Sequence, residues 1–348
     1  MIRMAEHFRR QALACAELGS PMYADLLDRC ARDIQAGGVT REVLAGHEND
    51  PGPSALALRL AGSVHRLVLE ERAGELASYY PSVGGSWDPA PGWRAFQALL
   101  RESPELVREW LDQPPQTNEV GRAGALFGGL LRVPGRARLP VRLMEIGSSG
   151  GLNLRADRFA YTDERARRWG DPRSELVLEG AWRGAQPEPW PDFRIVERVG
   201  SDVSPVNATS SEGRLRLTAY VWPDQATRLA RLRAAFTVAA ACPAEVRRTD
   251  ARSFVDTLEP VPGTLTVLWH SVMWQYLTQQ DRAAIEARIE KLGAAATEDG
   301  PFARLALEPM RRTPDADHEF LVVLQLWPAG ERRVLGTSVG HGIPTTWE

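Results

Sequence analysis

From Leu139 onward, short apolar runs alternate with helical stretches, and this alternation restricts the possible folds more than any other feature of the 348 residues. Runs of strand length lie at 141–146, 194–199, 244–248, 265–269, 304–307, 320–326 and 333–339, while 227–241 and 280–295 carry helical spacing between them. A strand followed by a covering helix returns the chain for parallel pairing, so the pattern predicts an α/β fold: a mainly parallel sheet covered on both faces. The last two runs are joined only by Trp327-Pro328-Ala329-Gly330. That link is too short for a crossover helix, which predicts a closing antiparallel hairpin.

The first 135 residues read differently. Apolar residues recur three and four apart in 8–18, and again in 23–34 after the start signal Ser20-Pro21. Leu56, Leu60, Val64, Leu67 and Leu76 extend the pattern over 56–76, entered through a turn at 49–54. The Pro-, Gly- and Trp-rich stretch 80–92 reads as a loop, 93–111 as helical again, and Pro114-Pro115 as a break. A further helix is expected near Asn118, with Glu119, Arg122 and Leu126 at helical intervals. A chain of this length exceeds one ordinary core. The layout expected is an all-helical cap or substrate domain over 1–135 and an α/β domain over 136–348, with an insertion at 161–193 near the mouth of the site.

The segment Leu143-Met144-Glu145-Ile146-Gly147-Ser148-Ser149-Gly150-Gly151-Leu152-Asn153 is an apolar strand carrying an acid, a turn of small residues, and a helix start. Open α/β sheets bind ligands at the carboxyl ends of their strands, where such turns lie. Small residues let the backbone approach a ligand, and Gly147 and Gly151 can take backbone angles closed to other residues. Three later segments repeat the theme of an acid or polar group after a strand: Gly200-Ser201-Asp202, Arg248-Thr249-Asp250-Ala251 and Trp269-His270-Ser271. Asp202 reads either as a ligand acceptor or as a turn residue before Ser204-Pro205. Asp250 reads either as a ligand acceptor or as a helix N-cap.

The pattern E-x-G-x-x-x-G resembles motif I of class I, Rossmann-like S-adenosylmethionine-dependent methyltransferases. The resemblance implies that Glu145, Gly147, Ser148, Ser149, Gly151 and Asn153 cradle the amino-acid part of the cofactor. It further implies that Asp202 accepts hydrogen bonds from the ribose hydroxyls, and that Asp250 and Ala251 face the adenine. Trp269 and His270 end the fourth strand, which in that fold borders both cofactor and substrate. Methyl transfer requires an aligned nucleophile and sometimes a base. His270 and Glu119 are the catalytic candidates, and Asn118, Arg122 and Trp269 the substrate-binding ones, with Glu308 and His341 as further candidates. The competing readings are a buried His270 bonded to backbone, and a cap with an exposed ion pair at 118–122.

Across nearly its whole length the chain also resembles a bacterial family catalogued as domain of unknown function 2332. The carriers are Gln116-Thr117-Asn118-Glu119-Val120-Gly121-Arg122, the 145–153 turn, Gly200-Ser201-Asp202 with Pro205, Trp222-Pro223-Asp224-Gln225, Trp269-His270-Ser271, and His341-Gly342 with Trp347. That likeness supplies a layout and no reaction. Two alternatives to methyl transfer stand: a non-catalytic S-adenosylmethionine or nucleotide binder, and an α/β serine hydrolase. The latter follows because 147–151 also fits G-x-S-x-G, with Ser149 as nucleophile, Asp315 or Asp317 as acid and His341 as base. A net charge of −3 lacks the basic footprint of a nucleic-acid binder, and no apolar run nears the roughly 20 residues of a membrane span. The 3 cysteines have no metal-ligand spacing. The expectation is a cytoplasmic protein with a small-molecule substrate, S-adenosylmethionine as cofactor and no metal.

Overall fold

The computed structural model describes residues 2–50 and 54–348. The helices are α1 (Ile2–Glu17), α2 (Pro21–Ala36), α3 (Val39–Val43), α4 (Leu56–Leu69), α5 (Pro89–Glu102), α6 (Pro104–Arg108), α7 (Ala123–Leu131), α8 (Ser211–Ala219), α9 (Ala226–Ala241), α10 (Ala251–Asp256) and α11 (Gln279–Ala295). The strands are β1 (Val141–Ile146), β2 (Ala160–Asp163), β3 (Arg168–Gly170), β4 (Val177–Gly184), β5 (Ile195–Asp202), β6 (Glu245–Arg248), β7 (Leu265–Ser271), β8 (Phe302–Met310), β9 (Glu319–Trp327), β10 (Glu331–Ser338) and β11 (Thr345–Trp347). Part of the turn expected at 49–54, residues 51–53, lies outside the described residues.

The chain divides into two compact units, Met1–Thr117 with Ser210–Ala230, and Asn118–Thr209 with Arg231–Glu348. The first is helical. Helices α2 and α5 start where the sequence offers caps: Ser20 accepts from Tyr23 N ahead of Pro21, and Asp88 accepts from Ala90 N ahead of Pro89. The loop expected over 80–92 therefore gives way to helix at Pro89. Asp224, some two hundred residues downstream, accepts from Ser20 Oγ at 2.6 Å and from Met22 N at 2.9 Å. That anchor brings 210–230 into this unit, and Trp222 joins the core of Phe8, Tyr23, Leu26, Leu60 and Phe96. The unit boundary falls at Asn118, whereas the sequence pattern changes near 135.

The second unit is built on one sheet with strand order β3-β2-β4-β11-β10-β9-β8-β7-β1-β5-β6. The neighbours from β8 through β7, β1 and β5 to β6 are parallel. β9 runs antiparallel to both β8 and β10. The hairpin expected after β9 is present, and a second one joins β8 to β9. Met144, Ile146, Val199 and Leu268 face α10 and α11, burying Phe254, Ile285 and Ile289. On the opposite face α7 lies so close that a Cβ on Gly129 would stand 2.8 Å from Leu305, and one on Gly128 2.2 Å from Trp347.

The stretch 161–193 folds as part of the sheet. It supplies most of β2 together with β3 and β4, which extend the sheet beyond β11. Its anchor is aromatic: Tyr161 stacks on Trp182 at 5.2 Å between ring centroids and on Phe127 of α7 at 4.8 Å. No helix among the described residues is long and apolar enough to cross a membrane.

Candidate ligand-binding site

After β1 the chain first lays β2, β3 and β4 at the far edge of the sheet, then adds β5 and β6 on one side of β1, and then β7 and β8 on the other. The order reverses between β1 and β7. Open α/β sheets leave a crevice at such a point, beyond the carboxyl ends of the strands. The two turns that border it touch: a Cβ on Gly147 would lie 3.0 Å from Met273 Cβ.

The turn at 147–151 is held by specific bonds. Gly147 has φ 71°, Ser149 φ 54° and Gly151 φ 66°, so the chain passes three times through the left-handed region that only glycine enters freely. Ser149 N donates to Asp202 Oδ2 at 2.9 Å, and Ser149 O accepts from Val206 N. Ser148 Oγ donates to Glu145 O and occupies the space that a side chain on Gly200 would need. Leu152 N donates to Asn118 Oδ1 at 2.9 Å, and Asn153 Nδ2 donates to Glu119 O. Asn118 and Glu119 thus serve the turn from an extended segment. They do not lie on a helix: Glu119 accepts from Gly121 N at the start of a 3-10 turn, and α7 begins only at Ala123.

Register brings Glu145 opposite Gly200 and Trp269, on the face towards α7. Glu145 is 3% exposed and its Oε2 has no hydrogen-bond partner. Asn153 Oδ1 and Trp269 Nε1 are buried without partners as well. Burial pushes the Glu145 carboxyl up to about 8, against the pull of the adjacent Trp269 indole and of Arg122, with Asp202 adding to the rise. The folded state therefore keeps a proton that the unfolded chain loses above about pH 4.5. Stability from this group is fully present below pH 4.5 and is lost progressively as the pH rises through about 8. Glu145→Gln removes the titration, so the wild type should lose stability relative to the variant from pH 5 to 8. Denaturant midpoints across that range measure it, and parallel curves would show that Glu145 ionises normally.

On the face towards α11, His270 lies opposite Ala306, so Arg304 and Glu308, two residues either side, flank it. Arg304 Nε donates to His270 Nε2 at 3.1 Å, which leaves Nδ1–H to donate to Glu308 Oε1 at 2.9 Å. Arg304 Nη1 in turn pairs with Glu286 at 2.8 Å. His270 is fully buried, and burial holds it below its ordinary value despite the Glu308 bond. Both ring nitrogens are occupied, an arrangement that fixes a neutral tautomer and leaves no lone pair for a substrate proton. The indole of Trp274 stacks on the ring at 4.9 Å.

The remaining expected residues are dispersed. Asp250 is exposed and N-caps α10, accepting from Ser253 N and Ser253 Oγ at 2.8 Å each; Ala251 opens that helix and packs beneath it. Arg122 donates to Gly340 O and Ser271 O, tying the start of α7 to the end of β7. Asp315 and Asp317 lie exposed between β8 and β9, and His341 follows β10. No cluster of His, Cys, Asp and Glu suited to a metal ion occurs among the described residues. Arg304 and Glu286 were not legible from sequence spacing, because only the β7–β8 register and the packing of α11 bring them to His270.

A family model described as an uncharacterized protein conserved in bacteria (DUF2332) matches residues 5–347. The chain belongs to this family. The match spans both units, so the helical unit and the sheet are parts of one DUF2332 architecture. No curated protein and no solved structure matches the chain.

Proposed function

We propose that the sheet unit binds S-adenosylmethionine in the manner of class I methyltransferases and serves methyl transfer to a small molecule. The observation that carries this reading is the placement of the 147–151 turn at the reversal of strand order between β1 and β7. The five strands from β6 to β8 follow the order expected for that fold, and the run β8-β9-β10 departs from it by folding as consecutive hairpins. The residues present fit the cofactor. Asn153 Oδ1 is a buried acceptor without a partner, and Glu145, protonated in the free protein, would ionise beside a cationic amino group and offer Oε2 to it. Asp202 uses one acceptor position on each oxygen for Ser149 N and Ser204 N, and each oxygen keeps another for a hydroxyl. When bound, the cofactor would supply a methyl group on a sulfonium, and the chain's own part would be to align the acceptor and exclude water.

The hydrolase alternative draws on Ser149, a non-glycine residue at φ 54° in the turn that follows β1. Two measurements separate the readings. Calorimetry with S-adenosylhomocysteine should show saturable heat, and a fluorophosphonate probe should leave Ser149 unlabelled. Labelling at Ser149 without heat from S-adenosylhomocysteine would replace the methyltransferase reading by the hydrolase.

A further inference from the structure

We infer that Glu308 is a binding site for the ammonium group of an amine substrate, at the ends of β7 and β8. The inference rests on the reading above only in making that amine the methyl acceptor; the site itself rests on its own observations. Glu308 is 3% exposed, and its two oxygens are used very unequally. Oε1 takes Nδ1–H of His270 at 2.9 Å, Met273 N at 3.1 Å and Trp274 N at 3.3 Å. Oε2 has no partner at all. Three donors on one oxygen fix the plane of the carboxyl group, and the other oxygen stays buried without a donor.

The charges around it favour a cation. Arg304 is the cation on this face of β8, and it is spent on Glu286. His270, accepting from Arg304, is neutral. Among the described ion pairs Glu308 has only that histidine as partner. A buried carboxylate without a cation is costly, and a ligand that brings one is correspondingly well received. An amide at this position would hold the turn equally well through its oxygen, so the turn alone does not call for an acid. The cover over the site is also distinctive. Oε1 clasps the turn that opens with Val272, a β-branched residue at φ 50°, where such residues are rare. Strain of that kind collects at ligand sites. The same turn carries the half-buried Trp274, whose ring meets both His270 and Arg304, and Tyr276, which is 60% exposed.

The test compares n-butylammonium chloride with 1-butanol at equal concentration, with sodium chloride matching the ionic strength, in thermal melts at pH 7. At ten times its Kd the ammonium should raise Tm of the wild type by about 2–4 °C. Butanol should not, and Glu308→Gln should lose the response while keeping its heat with S-adenosylhomocysteine. If the glutamine variant does not fold, Glu308→Asp, which withdraws the charge by one methylene, should need at least about tenfold more ammonium. Equal responses to amine and alcohol, or an undiminished response in the variants, would overturn the inference. An ammonium response lost in Glu308→Gln, with no heat from S-adenosylhomocysteine in the wild type, would instead retain the amine site and remove the methyltransferase reading.

Discussion

Gly147→Val is expected to weaken S-adenosylhomocysteine binding by at least about 100-fold, close to 2.7 kcal/mol. Two physical effects act together. Gly147 has φ 71°, where a side chain costs about 1–2 kcal/mol, and a Cβ there would stand 3.0 Å from Met273 Cβ, the neighbour across the crevice. A branched side chain would therefore fill the space between the two turns at the reversal of strand order. Gly147→Ala should fall between the wild type and valine. Strain alone is separated by Gly263→Val: this glycine has φ 74° with nothing within 4 Å of where a Cβ would stand, and it precedes β7 at the opposite end of the strand. That variant should lose comparable stability and keep its affinity. Calorimetry on the three variants gives the result directly, and wild-type affinity in Gly147→Val would show that the turn does not meet the ligand.

How much of this was legible depends on whether the information is local. The strand runs from β1 to β10 outside 161–193, and helices α9 and α11, follow from apolar runs and helical spacing, and the structure places them within a few residues. The 147–151 turn was legible because its conformation needs particular residues. What distant partners decide was not. Nothing near Trp222 indicates that Asp224 anchors to Ser20 and carries 210–230 into the helical unit. The helical spacing at Asn118, Glu119 and Arg122 misled, because the Asn118 side chain is spent on Leu152 N across the unit. In 161–193 β2 and β3 are short, β3 is mostly exposed, and β4 buries its residues without regular alternation, so no alternating pattern marks them; the stacked rings of Tyr161 and Trp182 hold them instead. His270 attracts attention as the one titratable group ending β7, yet its chemistry is set by Arg304 and Glu308 from the next strand.

Trp347→Ala is expected to destabilise the sheet unit by about 3–5 kcal/mol, a large part of the roughly 5–15 kcal/mol that ordinarily holds a domain together. The reason lies in the sheet order. β11 alone joins β10 to β4, so it links the β2–β3–β4 segment to the rest of the sheet. Its three residues pair with Gly336 and Thr337 on one side and with 182–184 on the other, too few for the backbone to hold unaided. Trp347 supplies the packing: it is 3% exposed, meets Trp182 edge-on at 6.3 Å, and lies 4.3 Å beneath the Arg132 guanidinium. Gly128 of α7 leaves room for the ring, since a Cβ there would stand 2.2 Å from Trp347 Cζ2. Gly128→Ala should therefore destabilise in the same direction by pressing on the ring from the helix side, although alanine ordinarily favours a helix over glycine by about 0.8–1 kcal/mol. Hydrogen exchange locates the damage: amides of β4 and β10 should lose protection in both variants before those of β1 and β5, because unpairing β11 exposes two new strand edges. Midpoints within about 1 kcal/mol of wild type, or uniform loss of protection across the sheet, would mean that β11 is not what joins the two parts.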